Sequence, residues 1–294
     1  MKKYIYLTVC LAVLSISQAK AQAAKVALQH NGFVTLYNAD ELQKALNASV
    51  DGDTLYLNEG VFSGGITISK RVSVIGAGEN TTISGDVTIS ASGTFTARVL
   101  DGLNIIGAVK LTAITNGVNI RKCSFRSFSA SNQTDNAFID RCNQNISNYN
   151  TDYVGISSYL KNTRIANSVI GQCGGSVSNV GDVVFCNCNI DRFSFSTGAT
   201  FNNCNVYIRN STFVTNCFFS YCYLSGDVSD ISSYIKQNCS TESPMTGSDG
   251  TPVGISGGTT PYTLVPSVPT VTSYNLNVNT TTKRLNVNIS VESK

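Results

Sequence analysis

The sequence predicts an all-β protein: a single-stranded, right-handed parallel β-helix with a short N-terminal capping helix and a C-terminal β-hairpin. The first observation is composition. The 294 residues include only 13% charged side chains, 24 glycines and no tryptophan, yet 42% are hydrophobic. This balance is typical of strands and turns and excludes a disordered chain. The second observation is an internal repeat, and the third is the short distance between successive strands.

The repeat is clearest around Cys188, which we take as its reference position. Phe185 lies three positions earlier, Asn187 directly precedes the cysteine, and Ile190 follows two positions later. Repeats this short cannot bury a face alone, so they indicate stacked coils. In chain order the reference positions are Cys123, Cys142, Ser168, Cys188, Cys204 and Cys217, at intervals of 19, 26, 20, 16 and 13 residues.

The spacing of the early strands predicts that they stack in parallel. Val72, Val87 and Leu103 take the reference position in the first coils, at intervals of 15 and 16 residues. These intervals are too short for a strand–helix–strand crossover, so successive strands must stack through turns alone. We therefore expect roughly nine coils about 4.8 Å apart, right-handed by the usual crossover preference.

The N-terminus has the pattern of an export signal. Two lysines precede an apolar run, and Ala19-Lys20-Ala21 matches a small-residue cleavage site, which predicts a signal peptide over residues 1–21. The run is too short to span a bilayer, and no later stretch is long enough, so we predict no transmembrane segment. The expected location is outside the cytoplasm: periplasmic, outer-surface or secreted.

Residues 22–50 are predicted to form an N-terminal cap. Phe33–Tyr37 has the composition of a strand, and Asn38 with Glu41 forms the N-terminal signal of a helix over Ala39–Ala48. Leu42, Ala45 and Leu46 give this helix an apolar stripe. Placed over the first coil, it would seal the open end of the stack.

Proline positions set the remaining boundaries. All five prolines lie between Pro244 and Pro269, and strands paired on both edges exclude proline. We therefore assign 51–239 to the β-helix and 240–269 to an irregular segment rich in proline and glycine. Alternating apolar residues over 270–294 predict a hairpin that packs on the last coils.

The opening coils resemble those of pectin-lyase-like right-handed parallel β-helix proteins. The resemblance rests on Gly52-Asp-Thr-Leu-Tyr-Leu57, on Ile66-Thr-Ile68 and on the segment from Arg71 to Gly78. The tail from Gly250 to Pro266 resembles the ending of exported β-helix proteins of Bacteroidota. These motifs imply the fold; they do not imply one function, because this fold includes lyases, hydrolases, adhesins and inert spikes.

Nine cysteines follow the signal segment, and export would permit disulfides. Five of them occupy the reference position, where serine or aliphatic residues stand in other coils. This substitution pattern is typical of small buried side chains. We expect an inward, stacked and mostly reduced set, namely Cys123, Cys142, Cys188, Cys204 and Cys217. Asn167, Asn187, Asn203 and Asn216 directly precede reference positions, which predicts a ladder of stacked amides.

Charge restricts the class of partner. Without Lys2, Lys3 and Lys20, 21 − 3 = 18 basic residues balance 18 acidic ones. A neutral chain without a basic cluster argues against nucleic acid as the partner. Cys186-x-Cys188 has no CxxC or histidine companion, so we predict no metal and no cofactor. The only histidine, His30, is expected in the cap or at the surface. A polysaccharide is the candidate partner, and oligomeric state is left open.

Two classes of function remain open. The first is an exported, non-catalytic protein of the cell surface, structural or glycan-binding. The second is a polysaccharide lyase or glycoside hydrolase acting on an acidic glycan. Asn150-Thr-Asp152 matches one short polygalacturonase motif, but that family's paired aspartates, its His-Gly and its Arg-Ile-Lys segment have no counterpart. Asp140-Arg141 and Asp191-Arg192 are predicted to point along different lines of the stack.

The first class is favoured, and no catalytic residue is assigned. Inserted loops are where solenoids bind ligands, and the loop over 144–159 combines aromatic with acidic side chains. Some aromatic residues must fill the coils, whereas others could face outward as platforms for sugar rings. The candidate binding residues are Tyr149, Asp152, Tyr153, Asp191, Tyr207 and Tyr221.

Overall fold

The computed structural model describes residues 23–148, 151–177, 179, 181–231, 235–242, 246–257, 270–279 and 284–292. For 194–197, 213, 236 and the last two ranges it describes the backbone alone. The protein is nearly all-β and forms a parallel β-solenoid of about eight turns, close to the nine predicted. The predicted fold class is confirmed. The predicted signal peptide, 1–21, lies outside the described residues.

The first sheet, sheet 1, contains twelve strands. It begins with an antiparallel hairpin, and the hairpin strand Lys25–His30 also pairs antiparallel with Thr54–Leu57. From Thr54–Leu57 onward, each strand is parallel to the next. The strands are Phe33–Asn38, Lys25–His30, Thr54–Leu57, Ser73–Ile75, Leu100–Asp101, Asn119–Arg121, Phe138–Asp140, Thr163–Ala166, Val183–Cys186, Thr200–Asn202, Phe218–Ser220 and Ile235–Gln237, in spatial order.

The second sheet, sheet 2, has two columns of parallel strands joined by the long strand Asn189–Thr197. The first column contains Gly60–Phe62, Thr81–Ile83, Asn104–Ile105, Ser124–Phe125, Asn143–Gln144, Val169–Ile170, Asn205–Ile208 and Tyr223–Gly226. The second contains Ile66–Ile68, Val87–Ile89, Ala108–Leu111, Ser127–Ala130, Val154–Ile156, Cys173–Ser176 and Val214–Thr215. A small sheet 3 completes the coils with Gly93–Thr94, Thr115–Asn116, Thr134–Asp135 and Leu160–Lys161.

The N-terminal helix forms where the sequence predicts it. A 3-10 turn, Ala39–Glu41, leads into the α-helix Leu42–Ala48, and the backbone N–H of Asn38 donates to Glu41 Oε2 at 3.0 Å. Leu42, Ala45 and Leu46 are buried, as expected from their spacing. The side-chain amide of Gln43 pairs with both backbone groups of Thr67, at 2.7 and 3.0 Å. The helix therefore closes the edge of sheet 2.

A column of sulfur atoms lies inside the corner between sheet 1 and sheet 2. At each level the thiol or hydroxyl donates to the carbonyl oxygen two residues earlier, as Cys188 does to Cys186 at 3.3 Å. The residues in the column are Cys123, Cys142, Ser168, Cys188, Cys204, Cys222 and Cys239. All five cysteines predicted to point inward are buried.

Three assignments of the repeat were wrong. Cys217 is buried next to Ala199 at the corner before sheet 1, and Cys222 takes the position after Cys204, because the Tyr223 N–H donates to the Cys204 carbonyl. Val72 directly precedes the sheet 1 strand Ser73–Ile75, and Val87 begins a strand in the second column of sheet 2. The chain turns at more than one corner in each coil, and at these corners a residue with positive φ precedes a small buried residue. A short sequence motif therefore does not show which corner it forms.

The amide ladder is confirmed for three of its four predicted members. Asn203 Nδ2 donates to Asn187 Oδ1 at 2.9 Å, Asn187 Nδ2 to Asn167 Oδ1 at 3.2 Å, and Asn167 Nδ2 to Asp140 Oδ1 at 2.8 Å. Their φ angles are close to +50°, a conformation that asparagine tolerates. Asn216 lies at the other corner, next to Cys217, and Tyr221 occupies the position that follows Asn203.

The chain after the last coil turns back along this corner. Ser248 N donates to Asn238 O, Gly254 N to Asn203 O, and Ile255 N to Asn189 Oδ1. A 3-10 turn, Gly254–Ser256, lies within this segment. Thr270–Asn279 and Arg284–Glu292 then pair as the predicted antiparallel hairpin. Packing of that hairpin on the last coils stays a prediction.

We expect thiol labelling of residues 22–294, which contain nine cysteines, to separate the buried from the accessible ones. Seven cysteines are buried, and Cys186 and Cys239 are partly exposed. Burial raises the pKa of Cys123 to about 12, so its reactive thiolate is scarce at neutral pH. Titration with a thiol reagent should label at most two cysteines in the native protein and nine in denaturant without reductant. Seven or fewer thiols in denaturant would reveal disulfides.

Candidate functional site

Two exposed tyrosines lie on one line along the solenoid. Val154, Cys173, Phe193 and Ile208 are buried and occupy equivalent positions on four successive coils. The residue before each lies on the strand face opposite the core, because side chains alternate along a strand. Three of these four residues are partly or well exposed, whereas Gln172 is buried. These residues, which we name the tyrosine stripe, are Tyr153, Gln172, Arg192 and Tyr207. The two tyrosines are three coil steps apart, or about 14 Å at strand spacing.

The exposure of the tyrosines suits a binding surface. Tyr153 is 43% exposed and Tyr207 is 48% exposed, and each directly precedes a buried core residue. Between them, Asp191 and Arg192 form a bulge, since two residues of their strand lie opposite Tyr207 alone. Bulges redirect side chains and are common beside functional sites. Partial burial raises the pKa of the Asp191 carboxyl.

A strand without side chains supports the ring of Tyr153. A Cβ atom on Gly155 would stand 3.3 Å from Tyr153 Cε2 and 3.7 Å from Cδ2, so the ring lies against this glycine. Gly155 pairs with Gly174 on the next coil, and both glycines are buried. The ring of Tyr153 therefore packs closely on the strand and keeps its outer side exposed.

Asp152, a predicted binding residue, is buried beneath this surface. Its carboxylate accepts hydrogen bonds from Ser147 N and Oγ, Asn148 N and Thr151 Oγ1, at 2.8 to 3.2 Å. Arg126 Nε lies 3.3 Å away. Burial alone would raise the pKa of Asp152, but these hydrogen bonds lower it below its ordinary value. The side chain therefore holds the loop in shape below Tyr153.

The other predicted binding residues do not join the stripe. Tyr221 lies at the corner between sheet 1 and sheet 2, with φ of +54°, and is half-buried. Tyr149 lies outside the described residues. The sequence hypothesis thus named three residues that the fold brings together, Tyr153, Asp191 and Tyr207. It missed Gln172 and Arg192, whose only signal is the buried residue that follows each of them.

The carboxylates do not converge on one site. Asp140 lies on sheet 1 and Asp191 on sheet 2, as their positions in the repeat predicted. Within the described part of the chain, no three histidine, cysteine, aspartate or glutamate side chains are grouped to hold a metal ion.

His30 ends the cap strand Lys25–His30 and is partly exposed, as expected, and it also contacts the first coil. Its Nδ1 lies 2.8 Å from Asp53 Oδ1, and Asn31 Nδ2 lies 3.0 Å from its Nε2. Asp53 begins the first coil and also accepts the Val50 N–H. Both ring nitrogens are thus engaged, and the contact ties the N-terminal hairpin to the solenoid.

Comparison with known proteins does not extend these findings. No helix among the described residues has the length and hydrophobicity needed to cross a membrane. No protein family model matches the chain, and searches of curated proteins and of solved structures gave no match. The assignment as a parallel β-solenoid therefore rests on the structure itself.

Proposed function

We propose that this chain is an exported, non-catalytic β-solenoid, related to pectin-lyase-like proteins, that binds a polysaccharide along the tyrosine stripe. The observation that carries the proposal is the alignment of Tyr153 and Tyr207 on one line, with Asp191 and Arg192 between them. An exposed aromatic face packs against the C–H face of a sugar ring. Asp191 and Arg192 can hydrogen-bond to the hydroxyl groups around that ring.

The shape of the solenoid suits a polymeric ligand. Coils repeat every 4.7–4.9 Å or so along the axis, and solenoids present extended surfaces to long partners. A chain of sugars lying along the axis would contact Tyr153 and Tyr207 at once. Two contacts on one polymer strengthen each other, because the second forms without a further loss of translational freedom.

Binding without cleavage is favoured by the state of the carboxylates. Glycosidases use two carboxyl groups about 5–9.5 Å apart, one of them able to donate a proton. Asp152 is buried, hydrogen-bonded and lowered in pKa, so it is a poor acid. Asp191, with its raised pKa beside Arg192, is the feature that favours the alternative, a lyase or hydrolase acting on an acidic glycan.

Alanine at either stripe tyrosine should weaken polysaccharide binding about tenfold or more, since each substitution removes one aromatic contact worth roughly 1.5 kcal/mol. Affinity electrophoresis against neutral and acidic polysaccharides would measure Tyr153→Ala and Tyr207→Ala. Tyr56→Ala is the matched control, because Tyr56 is 45% exposed but lies on sheet 1.

Three outcomes would contradict the proposal. An equal loss of binding in Tyr56→Ala would show that the stripe is not the site. Cleavage of a polysaccharide that Asp191→Ala abolishes would identify an enzyme. A protein that binds no member of the panel would leave a structural role instead.

A further inference from the structure

At the N-terminal end of the solenoid, the last strand of sheet 1 has an unpaired edge among the described residues. Gln43 covers the corresponding edge of sheet 2. The hairpin strand Phe33–Asn38, here named the edge strand, pairs on one side with Lys25–His30 and has no strand on its other side among the described residues. Phe33 is 79% exposed, Val34 60% and Leu36 68%. The strand has no charged residue and no proline, which are the usual protections of an edge.

The hairpin geometry identifies which backbone groups face outward. Asn31 and Gly32 form a two-residue turn with φ of +47° and +81°, so His30 and Phe33 are a hydrogen-bonded pair. Hydrogen-bonded and non-hydrogen-bonded pairs alternate along an antiparallel ladder. The N–H and C=O groups of Val34 and Leu36 therefore point away from the hairpin and can pair with another strand.

The edge strand is complementary to itself. Read in either direction about Thr35, its residues are aromatic, aliphatic, threonine, aliphatic and aromatic: Phe33, Val34, Thr35, Leu36 and Tyr37. An antiparallel copy centred on Thr35 places Val34 opposite Leu36, with the outward backbone groups of both in register. The same register places Phe33 opposite Tyr37, and aromatic cross-strand pairs stabilise a sheet.

We propose that the edge strand pairs antiparallel with the edge strand of a second copy of this chain, about a two-fold axis at Thr35. The paired strands make sheet 1 continuous across the dimer. Two observations favour a second copy as the partner. The order of side-chain types in the strand is the same in both directions, and an uncharged strand places no like charges across the two-fold axis. The pairing is closed, since the two-fold axis uses the edge strand of both copies.

Sedimentation of the exported chain over a range of concentrations tests the proposal. The expected result is a monomer–dimer equilibrium. Val34→Pro removes two symmetry-related hydrogen bonds at the open edge, where proline is tolerated, and should raise the dimer dissociation constant about a hundredfold. Leu36→Lys places a charge opposite Val34 and should also favour the monomer. Ile114→Lys, at an exposed apolar residue of the coils, should leave the dimer unchanged.

A crosslink tests the register without depending on stability. Thr35 faces its copy in a non-hydrogen-bonded pair, with Cα atoms about 4.5 Å apart, within the range that a disulfide spans. Under mild oxidation Thr35→Cys should give a covalent dimer, and Ile114→Cys should not. A monomer at all concentrations, an assembly larger than a dimer, a dimer that persists in both Val34→Pro and Leu36→Lys, or equal crosslinking of the two cysteine variants would each overturn the proposal.

Discussion

Replacing Phe201 by alanine is expected to destabilise the C-terminal coils by about 3–5 kcal/mol, the usual cost of truncating a buried phenylalanine. Its ring stacks between Phe185 and Phe219, with centroids 4.9 Å away on each side, and meets the edge of Phe193 at 5.0 Å. All four side chains are fully buried. One truncation therefore opens a cavity and removes three ring contacts, each worth about 0.5–1.5 kcal/mol beyond burial.

Urea unfolding, combined with hydrogen exchange resolved by peptide, would measure this loss and locate it. Coils of a solenoid contact only their neighbours, so exchange should increase most around 183–224 and least near the N-terminal helix. Phe218→Ala is the matched control, since Phe218 is on the next coil, faces outward and is only partly buried. If the two variants lose equal stability, the aromatic column does not hold these coils together.

The aromatic column shows how far sequence can place residues in this fold. The repeat correctly aligned Phe185 with Phe201, because their coils differ by few residues and both precede an Asn-Cys pair. It fails for Phe219, which lies two residues after Cys217 and would therefore align with Ile190, but which pairs with Phe201. Asn216-Cys217 and Asn203-Cys204 are alike in sequence and lie at different corners. Backbone conformation selects asparagine at both, so local chemistry alone does not distinguish them.

The candidate site was predictable in its residue types but not in its alignment. Tyr153 and Tyr207 could be named as outward aromatics, yet coils of unequal length hide that they share one line. Asp152 seemed suited to a ligand because it lies in an inserted loop. Its burial depends on Ser147 and Asn148 folding back over it, which requires the three-dimensional path of the loop. In this loop, the side chains that could bind a ligand and those that hold the loop in shape are of the same types, so the sequence alone does not distinguish them.

Asp140 is a buried carboxylate that lies between two arginines. It is buried on sheet 1, 3.3 Å from Arg121 Nε and 3.5 Å from Arg141 Nε, and it accepts the Asn167 amide that begins the ladder. Asp140→Leu should cost roughly 2–4 kcal/mol. Removing one partner of a buried ion pair costs about 3–5 kcal/mol, and the loss is smaller here because Arg121 and Arg141 are partly exposed to water.

Two further variants test whether charge is the cause. Arg71→Ala breaks an exposed pair with Asp51 and should change the free energy of unfolding by less than about 1 kcal/mol. The double variant Asp140→Leu/Arg121→Leu should be more stable than the sum of its single changes predicts, because it leaves one fewer unpaired charge. Additive losses would instead assign the cost of Asp140→Leu to packing and to the Asn167 amide.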